Sequence, residues 1–269
     1  MPAVNVPTLT EKLVATKEDG IGWIRFNNPE RRNAVTFEMW QSIPMVLEDF
    51  ANDVDVRVVI LRGTGDKAFV AGADISQFKE RRTGDAAVKE YNANSERAGD
   101  ALRGFPKPTI AMIRGYCIGG GTATAANCDL RIAAEDARFG VPAGRLGLGY
   151  RFSGIRRLAA VVGPAAAAEI MFTARQFSAR EALQMSLVNR VVPVDQLEAV
   201  TLETAAMIAA NAPLTMQSVK RSLAELLKDP DQRDIALCNA LVEKCFKSED
   251  YQEGQKAFME KRKPVFKGR

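Results

Sequence analysis

Histidine is missing from all 269 residues, which removes the side chain that most often serves as general base and metal ligand near neutral pH. Acid–base chemistry in this chain has to come from Asp, Glu, Tyr, Lys or Cys. Cysteine is scarce: Cys117, Cys128, Cys238 and Cys245 form no CxxC pair. With no histidine to complete a ligand set, neither structural zinc nor a disulfide framework is expected, and the thiols read as buried and reduced. No apolar run approaches the ~18 residues that a membrane span needs. The opening MPAVNVPTLTEKL has neither an apolar signal core nor an Arg-rich amphipathic presequence, so a cytoplasmic protein with no membrane partner is expected. Charge of one sign is also slight. The net charge is +4 and the strongest basic cluster is the tail KRKPVFKGR, which lacks the interleaved aromatics of a base-stacking surface. Nucleic acid is therefore not an expected partner, whereas a small polyanion would account for the tail.

What is present reads as one large domain with a helical appendage. LVATKEDGIGWIRF has the pattern of two strands joined by an Asp-Gly turn, a hairpin signal. From Thr36 onward, Phe37, Trp40, Ile43, Val46, Leu47 and Phe50 recur at helical spacing. RVVILRG is a continuous apolar run of the kind buried on both faces of a sheet. The pattern then returns as a polar helical stretch over 85–104, a strand TIAMIRG, a Gly-rich turn, a short helix and a strand DLRIAA. RVVILRG and TIAMIRG each end in Arg-Gly before a loop, which points to repeated strand-strand-helix units in an α/β fold. Ser178 and Glu181 form a candidate capping box. After Val194 the pattern is helical over 195–262, divided at Asn211–Pro213 and near Asp229–Pro230. The expected division is a core over 1–195 and a helical region over 196–269. Wide apolar faces in the latter (Leu223, Leu226, Leu227; Leu237, Leu241, Cys245) either fold over the core or make subunit contacts.

Residues 117–127, CIGGGTATAAN, place three glycines before a helix, and FVAGAD at 69–74 puts small residues after a sheet strand. Both loops allow close approach of backbone to a ligand, and the helix adds its positive N-terminal end. If the loops converge, the N–H groups of Ala73 and Gly120 grip one oxygen from two sides, an oxyanion hole made of main chain. The alternative is a plain tight turn with close helix–sheet packing. No Gly-Lys-Ser/Thr follows and GxGxxG is absent at this turn, so neither a P-loop nor a dinucleotide fingerprint is present.

Six collinear stretches, PERRNAVTFEMW, KAFVAGADI, FPKPTIAMIRGYCIGGGT, CDLRIAAEDARFGVP, FTARQFSAREALQMSLVNRVVP and EGQKAFMEKRKPVF, together resemble the crotonase (enoyl-CoA hydratase/isomerase) family. The resemblance covers nearly the whole chain. It implies a crotonase-like spiral of strand-strand-helix units with a helical C-terminal trimerisation region, a homotrimer or a homohexamer built from two trimers, and an acyl-CoA substrate with no cofactor beyond its CoA moiety. It also implies a thioester enolate held by two backbone N–H groups, mapped here onto Ala73 and Gly120. For CoA it points to the main chain of Ala71 and of Ala73, Asp74, Ile75 and Ser76, to Arg32 in ERRNA, and to Phe258 with Lys261. The last two, three residues apart, are expected to share a face of the C-terminal helix, which in the family reaches a neighbouring subunit's site.

The chain departs from the family's hydratases at the two positions where they carry glutamate, which are Ala123 in GGGTA and Ala143 in FGVPA. No Asp or Glu occurs over 115–128 or 137–168, and the second stretch carries Arg138, Arg145, Arg151, Arg156 and Arg157. Such a stretch is expected to favour an anionic substrate, or else its arginines are solvated or meet CoA phosphates. RLGLGYRFSGIRRL resembles the methylmalonyl-CoA decarboxylase branch, which has a tyrosine in the pocket, matched by Tyr150; losing CO₂ generates an enolate without a base. That branch has histidine where this chain has Ala73 and glutamate where it has Ala123. Three readings follow: a hydratase-like acyl-CoA lyase without the two glutamates, a methylmalonyl-CoA-type decarboxylase, and a non-catalytic acyl-CoA-binding protein.

Overall fold

The computed structural model describes residues 3–77 and 84–269. Its elements run β1 (Val4–Val6), β2 (Leu13–Glu18), β3 (Ile21–Phe26), α1 (Phe37–Asn52), β4 (Val58–Gly63), β5 (Ala68–Val70), α2 (Asp85–Gly104), β6 (Thr109–Ile113), β7 (Tyr116–Ile118), α3 (Gly120–Asn127), β8 (Leu130–Ala134) and β9 (Arg138–Gly140). They continue as α4 (Phe152–Thr173), β10 (Phe177–Ser178), α5 (Ala179–Gln184), β11 (Arg190–Val192), α6 (Leu197–Ala209), α7 (Pro213–Leu226), α8 (Ile235–Phe246) and α9 (Glu249–Met259).

The expected hairpin is β2–β3, antiparallel with Leu13 opposite Phe26. Asp19 and Gly20 both have positive φ, 48° and 79°, which is the type I′ geometry that matches strand twist. α1 begins where the sequence placed it, with the Thr36 hydroxyl accepting from the Met39 N–H at 3.3 Å and the apolar stripe buried. The capping box also holds: Ser178 accepts from the Glu181 N–H at 3.2 Å while the Glu181 carboxylate takes the Ser178 N–H at 2.8 Å.

Two sheets carry the repeat. The larger has strand order β1-β2-β3-β4-β6-β8-β11 and the smaller β10-β9-β7-β5. β4, β6 and β8 lie in the first and their successors β5, β7 and β9 in the second, so each unit crosses from one sheet to the other before its helix. The crossings explain the Arg-Gly endings. A Cβ at Gly63 would stand 2.1 Å from the Ala68 carbonyl oxygen, and one at Gly115 2.1 Å from that of Lys67, so only glycine lets the chain turn so tightly. The arginines face outward to Glu198 and Asp136 respectively.

Alternation along the buried parallel strands produces two cores. Val59, Leu61, Ala111, Ile113 and Ala133 join the main core with α1 and the smaller sheet. Val58, Ile60, Ile110, Met112, Ile132 and Ala134 face the other way and are covered by Leu197 and Ala205 of α6. The expected boundary at 195/196 thus marks a change of secondary structure and not a break in packing, because the first helix beyond it closes the outer face of the sheet. The helical region has one division more than expected, at Lys247–Ser248, where the Ser248 hydroxyl caps α9 by accepting from the Tyr251 N–H at 3.1 Å. Leu223, Leu226 and Leu227 of the α7 end stay exposed in the single chain, as do Phe246 and Phe258.

The tightest approach joins α3 to β5, where a Cβ at Gly121 would meet the Val70 carbonyl oxygen at 2.1 Å. Gly121→Ala is expected to lower unfolding free energy by about 3 kcal/mol, at the upper end for overpacking a close contact. Gly104→Ala, where a Cβ meets open space, is expected to stay within about 1 kcal/mol of wild type. Urea denaturation of the two variants checks the contrast.

Candidate active site

The chain leaving β5 is laced to residues 32–35. Ala71 donates its N–H to the Arg32 carbonyl at 3.0 Å, Val35 to that of Gly72 at 2.9 Å and Asp74 to that of Val35 at 2.9 Å. This parallel bridge passes over Ala73, whose N–H has no hydrogen-bond acceptor among the described residues. At the other loop Gly119 donates to the Gly140 carbonyl at 2.7 Å and its own carbonyl accepts from Ala123 at 3.0 Å. Gly120, the first residue of α3, likewise has an N–H with no acceptor among the described residues, as helix N-termini do. Gly119 holds φ 56°, ψ −109°, a conformation that glycine alone adopts without strain.

The two loops converge. A Cβ at Gly120 would stand 3.9 Å from the Ala73 nitrogen and 3.7 Å from Cζ2 of Trp40. Trp40 is buried and its indole N–H donates to the Tyr91 hydroxyl at 3.0 Å, which ties α1 to α2 beneath the loops. Two main-chain donors beside one small space, with the positive end of α3 behind one of them, can hold a single oxygen that gains negative charge.

Ala123 is half-buried in the first turn of α3, and Ala143 is buried in the 3₁₀ turn Pro142–Leu146. Tyr150 is half-buried against the main core, and its ring sits so close to Gly154 that a Cβ there would lie 2.8 Å from Cε1. Its hydroxyl has no hydrogen bond among the described residues. Burial raises the phenol above its ordinary value, so at neutral pH Tyr150 is a proton donor and not a base.

The five arginines do not form a common wall. Arg151 pairs with Glu96 of α2, and Ser153 donates to the same carboxylate at 3.1 Å. Arg156 reaches the Leu227 carbonyl and Asp229, Arg157 donates to the Ala126 carbonyl at 2.6 Å at the end of α3, and Arg138 donates to the carbonyl of Ala137 at 3.1 Å. Arg145 is exposed. Neighbours in sequence diverge because successive helical residues point about 100° apart. Glu96 of α2 is thus the acid that meets the 137–168 stretch at Arg151 and Ser153.

The residues expected to meet CoA fall in two places. Arg32 has φ 52° and its guanidinium lies over the Tyr116 ring, 4.7 Å from the centroid, beside the loop that carries Ala71 and Ala73. Within that loop the N–H groups of Ala71, Asp74 and Ser76 are occupied by protein acceptors, Ser76 donating to Oδ1 of Asp74 at 3.0 Å. The N–H of Ala73 has no acceptor among the described residues, as is also true of Gly72. Burial pushes the Asp74 carboxyl up, but hydrogen bonds from Ser76 and the nearby Arg31 leave it below the ordinary carboxylate value, so this side chain braces the loop. Ile75 begins the short 3₁₀ turn Ile75–Gln77; its side chain lies outside the described residues. Phe258 and Lys261 do not share a helix face. α9 ends at Met259, and the Lys261 N–H bonds to the Phe258 carbonyl at 3.2 Å while that of Arg262 bonds to Ala257 at 3.0 Å, a Schellman ending with Lys261 left-handed at φ 54°. Both side chains are exposed.

Three supporting residues carried no chemical signal in the sequence. Asn33 is buried and donates to the carbonyls of Thr64 at 3.0 Å and Ala68 at 2.7 Å while accepting the Asn28 N–H at 3.0 Å. Trp40 reads as one more apolar residue of α1, and Tyr91 lies within a polar helix; only their contact gives them a role. Asn33 adjoins Arg32 in ERRNA, and its left-handed φ of 56° is one that asparagine tolerates.

The fold and the paired main-chain donors define a crotonase-type α/β protein. A family model, enoyl-CoA hydratase/isomerase, matches residues 16–269, and the chain belongs to this family. It is 35% identical over 251 residues to the short-chain-enoyl-CoA hydratase of Clostridium acetobutylicum, covering 93% of this chain and 95% of that protein. It is 32% identical to the crotonyl-CoA hydratase of Syntrophomonas wolfei, covering 95% and 98%. A solved enoyl-CoA hydratase/carnithine racemase from Magnetospirillum magneticum superposes with a TM-score of 0.91 at 36% identity, covering 97% of each chain.

Cys117 and Cys128 flank the glycine loop and α3 and are fully buried, which raises the Cys117 thiol far above its usual value and pushes that of Cys128 up to about 12. Ellman's reagent at pH 8 is expected to leave both unmodified in the native protein. Cys238 and Cys245, partly exposed, are expected to react first, with all four reacting once the chain is unfolded.

Proposed function

We propose that this protein is an acyl-CoA lyase that stabilises a thioester enolate between the Ala73 and Gly120 N–H groups, without the two-glutamate chemistry of the family's hydratases. The convergence of two unoccupied main-chain donors, 3.9 Å separating the Ala73 nitrogen from the Cβ position of Gly120, carries the reading. Removing one donor of such a pair typically lowers kcat by about 10²–10³.

The names of the relatives support hydration. In that reaction hydroxide from water bonds to the β-carbon, the π electrons move to the thioester oxygen, and a proton is then added at the α-carbon. A base must take the first proton, and Ala123 and Ala143 cannot. A decarboxylase reading is favoured by one observation, half-buried Tyr150, whose hydroxyl has no hydrogen bond among the described residues, on a stretch (137–168) without Asp or Glu. When the bond to a carboxylate breaks, its electron pair flows to the thioester oxygen and CO₂ leaves, so no base is required. The enolate then needs one proton at carbon, which neutral Tyr150 or water supplies.

Arg32 stacked on Tyr116 beside the Ala73 loop supports CoA binding there. The exposed Leu223, Leu226, Phe246 and Phe258 support self-association as a trimer or hexamer, and in such an assembly Phe258 and Lys261 reach a neighbouring subunit's CoA.

Wild type is expected to hydrate crotonyl-CoA at least 10²-fold more slowly than a two-glutamate hydratase, and Ala123→Glu/Ala143→Glu to recover about 10² of that rate, the usual contribution of positioned acid–base groups. Ordinary hydratase turnover by wild type overturns the reading. Release of CO₂ from methylmalonyl-CoA, lost in Tyr150→Phe with CoA affinity retained, selects the decarboxylase; binding of acyl-CoAs without turnover of either substrate leaves an acyl-CoA-binding protein.

A further inference from the structure

A cavity of about 230 Å³ lies where the core meets the C-terminal helices, lined among others by Arg57, Lys107, Asn211, Gln217, Lys244 and Lys267. Arg57 immediately precedes β4, and Lys107 with Pro108 immediately precedes β6. The cavity therefore sits at the N-terminal ends of the parallel strands, whereas Ala73 and Gly120 follow the C-terminal ends of β5 and β7.

Its lining has four cationic side chains and no carboxylate. Three nearby acids are engaged elsewhere, and a fourth, Asp55, acts on Lys107 from outside the lining. Asp53 pairs with Lys17 at 2.7 Å, Asp49 also pairs with Lys17, and Asp250 accepts the main-chain N–H groups of Lys267 at 2.6 Å and Gly268 at 2.8 Å. Two of the cations are positioned by main chain: Lys107 donates to the Phe50 carbonyl at 2.6 Å at the end of α1, and Arg57 donates to the Phe266 carbonyl at 3.1 Å. Lys244 and Lys267 have no ion pair or side-chain hydrogen bond among the described residues. α7 adds to the field, because its first turn (Pro213, Leu214, Met216) opens onto the cavity and its N-cap residue makes no side-chain hydrogen bond. Burial above all lowers the Lys107 ammonium to about 8, with Asp53 and Asp55 pulling it up and Arg57 and Lys17 pushing it down. Positive charge is thus concentrated in a concave space whose described lining carries no Asp or Glu.

We propose that this cavity binds a small phosphate-bearing anion at a site separate from the acyl-CoA site. A compact phosphate matches the volume, its charge matches Lys244 and Lys267 as the mobile cations, and Arg57 and the α7 amide end supply directed donors.

The test is a ³¹P NMR titration of the full chain with inorganic phosphate and, separately, with adenosine 5′-monophosphate, in wild type and in Lys244→Glu/Lys267→Glu. Both positions are exposed, so the thermal midpoint and CoA affinity are expected to be unchanged. Saturable binding to wild type that weakens at least tenfold in the double variant supports the site. Stronger binding of adenosine 5′-monophosphate than of phosphate, with the same variant sensitivity, identifies a phosphate ester as the source, and the reverse order identifies free phosphate. Equal binding to both proteins, or no binding to wild type, overturns the proposal, and neither outcome depends on whether the chain turns over any acyl-CoA.

Discussion

The rest of the site depends on one close approach, that of Gly121 to the carbonyl of Val70. With no Cβ at 121, the start of α3 can lie directly on the end of β5, and a methyl group there would sit 2.1 Å from the oxygen. β5 and β7 are parallel neighbours, with Val70 opposite Cys117, so the segments leaving them start side by side. The glycine contact then sets how far apart they run, and hence how close the Ala73 and Gly120 N–H groups come. Asn33 fixes the same corner from behind by binding the carbonyls of Thr64 and Ala68, and Trp40 fills the floor.

Because both donors belong to the main chain, their position is set by packing and not by which side chains surround them. This separates the parts of a crotonase site that the fold enforces from those it leaves open. Ala123 and Ala143 interrupt nothing: the first sits in a helical turn already capped by Gly119, the second is the one buried residue of the turn Pro142–Leu146. Alanine at both positions is therefore compatible with the two unoccupied main-chain donors of Ala73 and Gly120. Tyr150 is half-buried against the same core, and burial raises its phenol above the ordinary value.

Much of the fold was legible because the decisive signals are local or periodic. The Asp-Gly hairpin, the stripe of α1, the capping box at Ser178 and the buried strands all follow from spacing, and the Arg-Gly repeats mark real sheet crossings. Of the site, glycine spacing raised the possibility of convergence, but a tight turn explained the same residues, and family resemblance was needed to choose. Asn33, Trp40, Tyr91 and Glu96 were not legible because each acts through a partner 31 to 57 residues away: Asn33 with Thr64, Trp40 with Tyr91, Glu96 with Ser153.

The arginines and the C-terminal lysine show why charge is harder to read than hydrophobicity. An apolar stripe is buried as a face, so its members share one environment and the period alone reveals it. Each charged side chain instead seeks its own acceptor, and neighbours reach different ones: Arg151 an acid on α2, Arg156 the end of α7, Arg157 the end of α3. Lys261 fails the period argument for a related reason. Pro264 lies close beyond it, and the chain leaves α9 through a left-handed residue that satisfies two helix carbonyls, so the three-residue spacing from Phe258 is no longer helical. In the cavity before β4 and β6 the opposite holds. Arg57, Lys107, Lys244 and Lys267 lie up to 210 residues apart and no short window of sequence contains them together, yet the packing of α8 and the C-terminal tail beside the N-terminal edge of the parallel strands gathers them at one place. The sheet's polarity thus assigns main-chain donors to one end and side-chain cations to the other, and the second of these is visible only once the strands are paired.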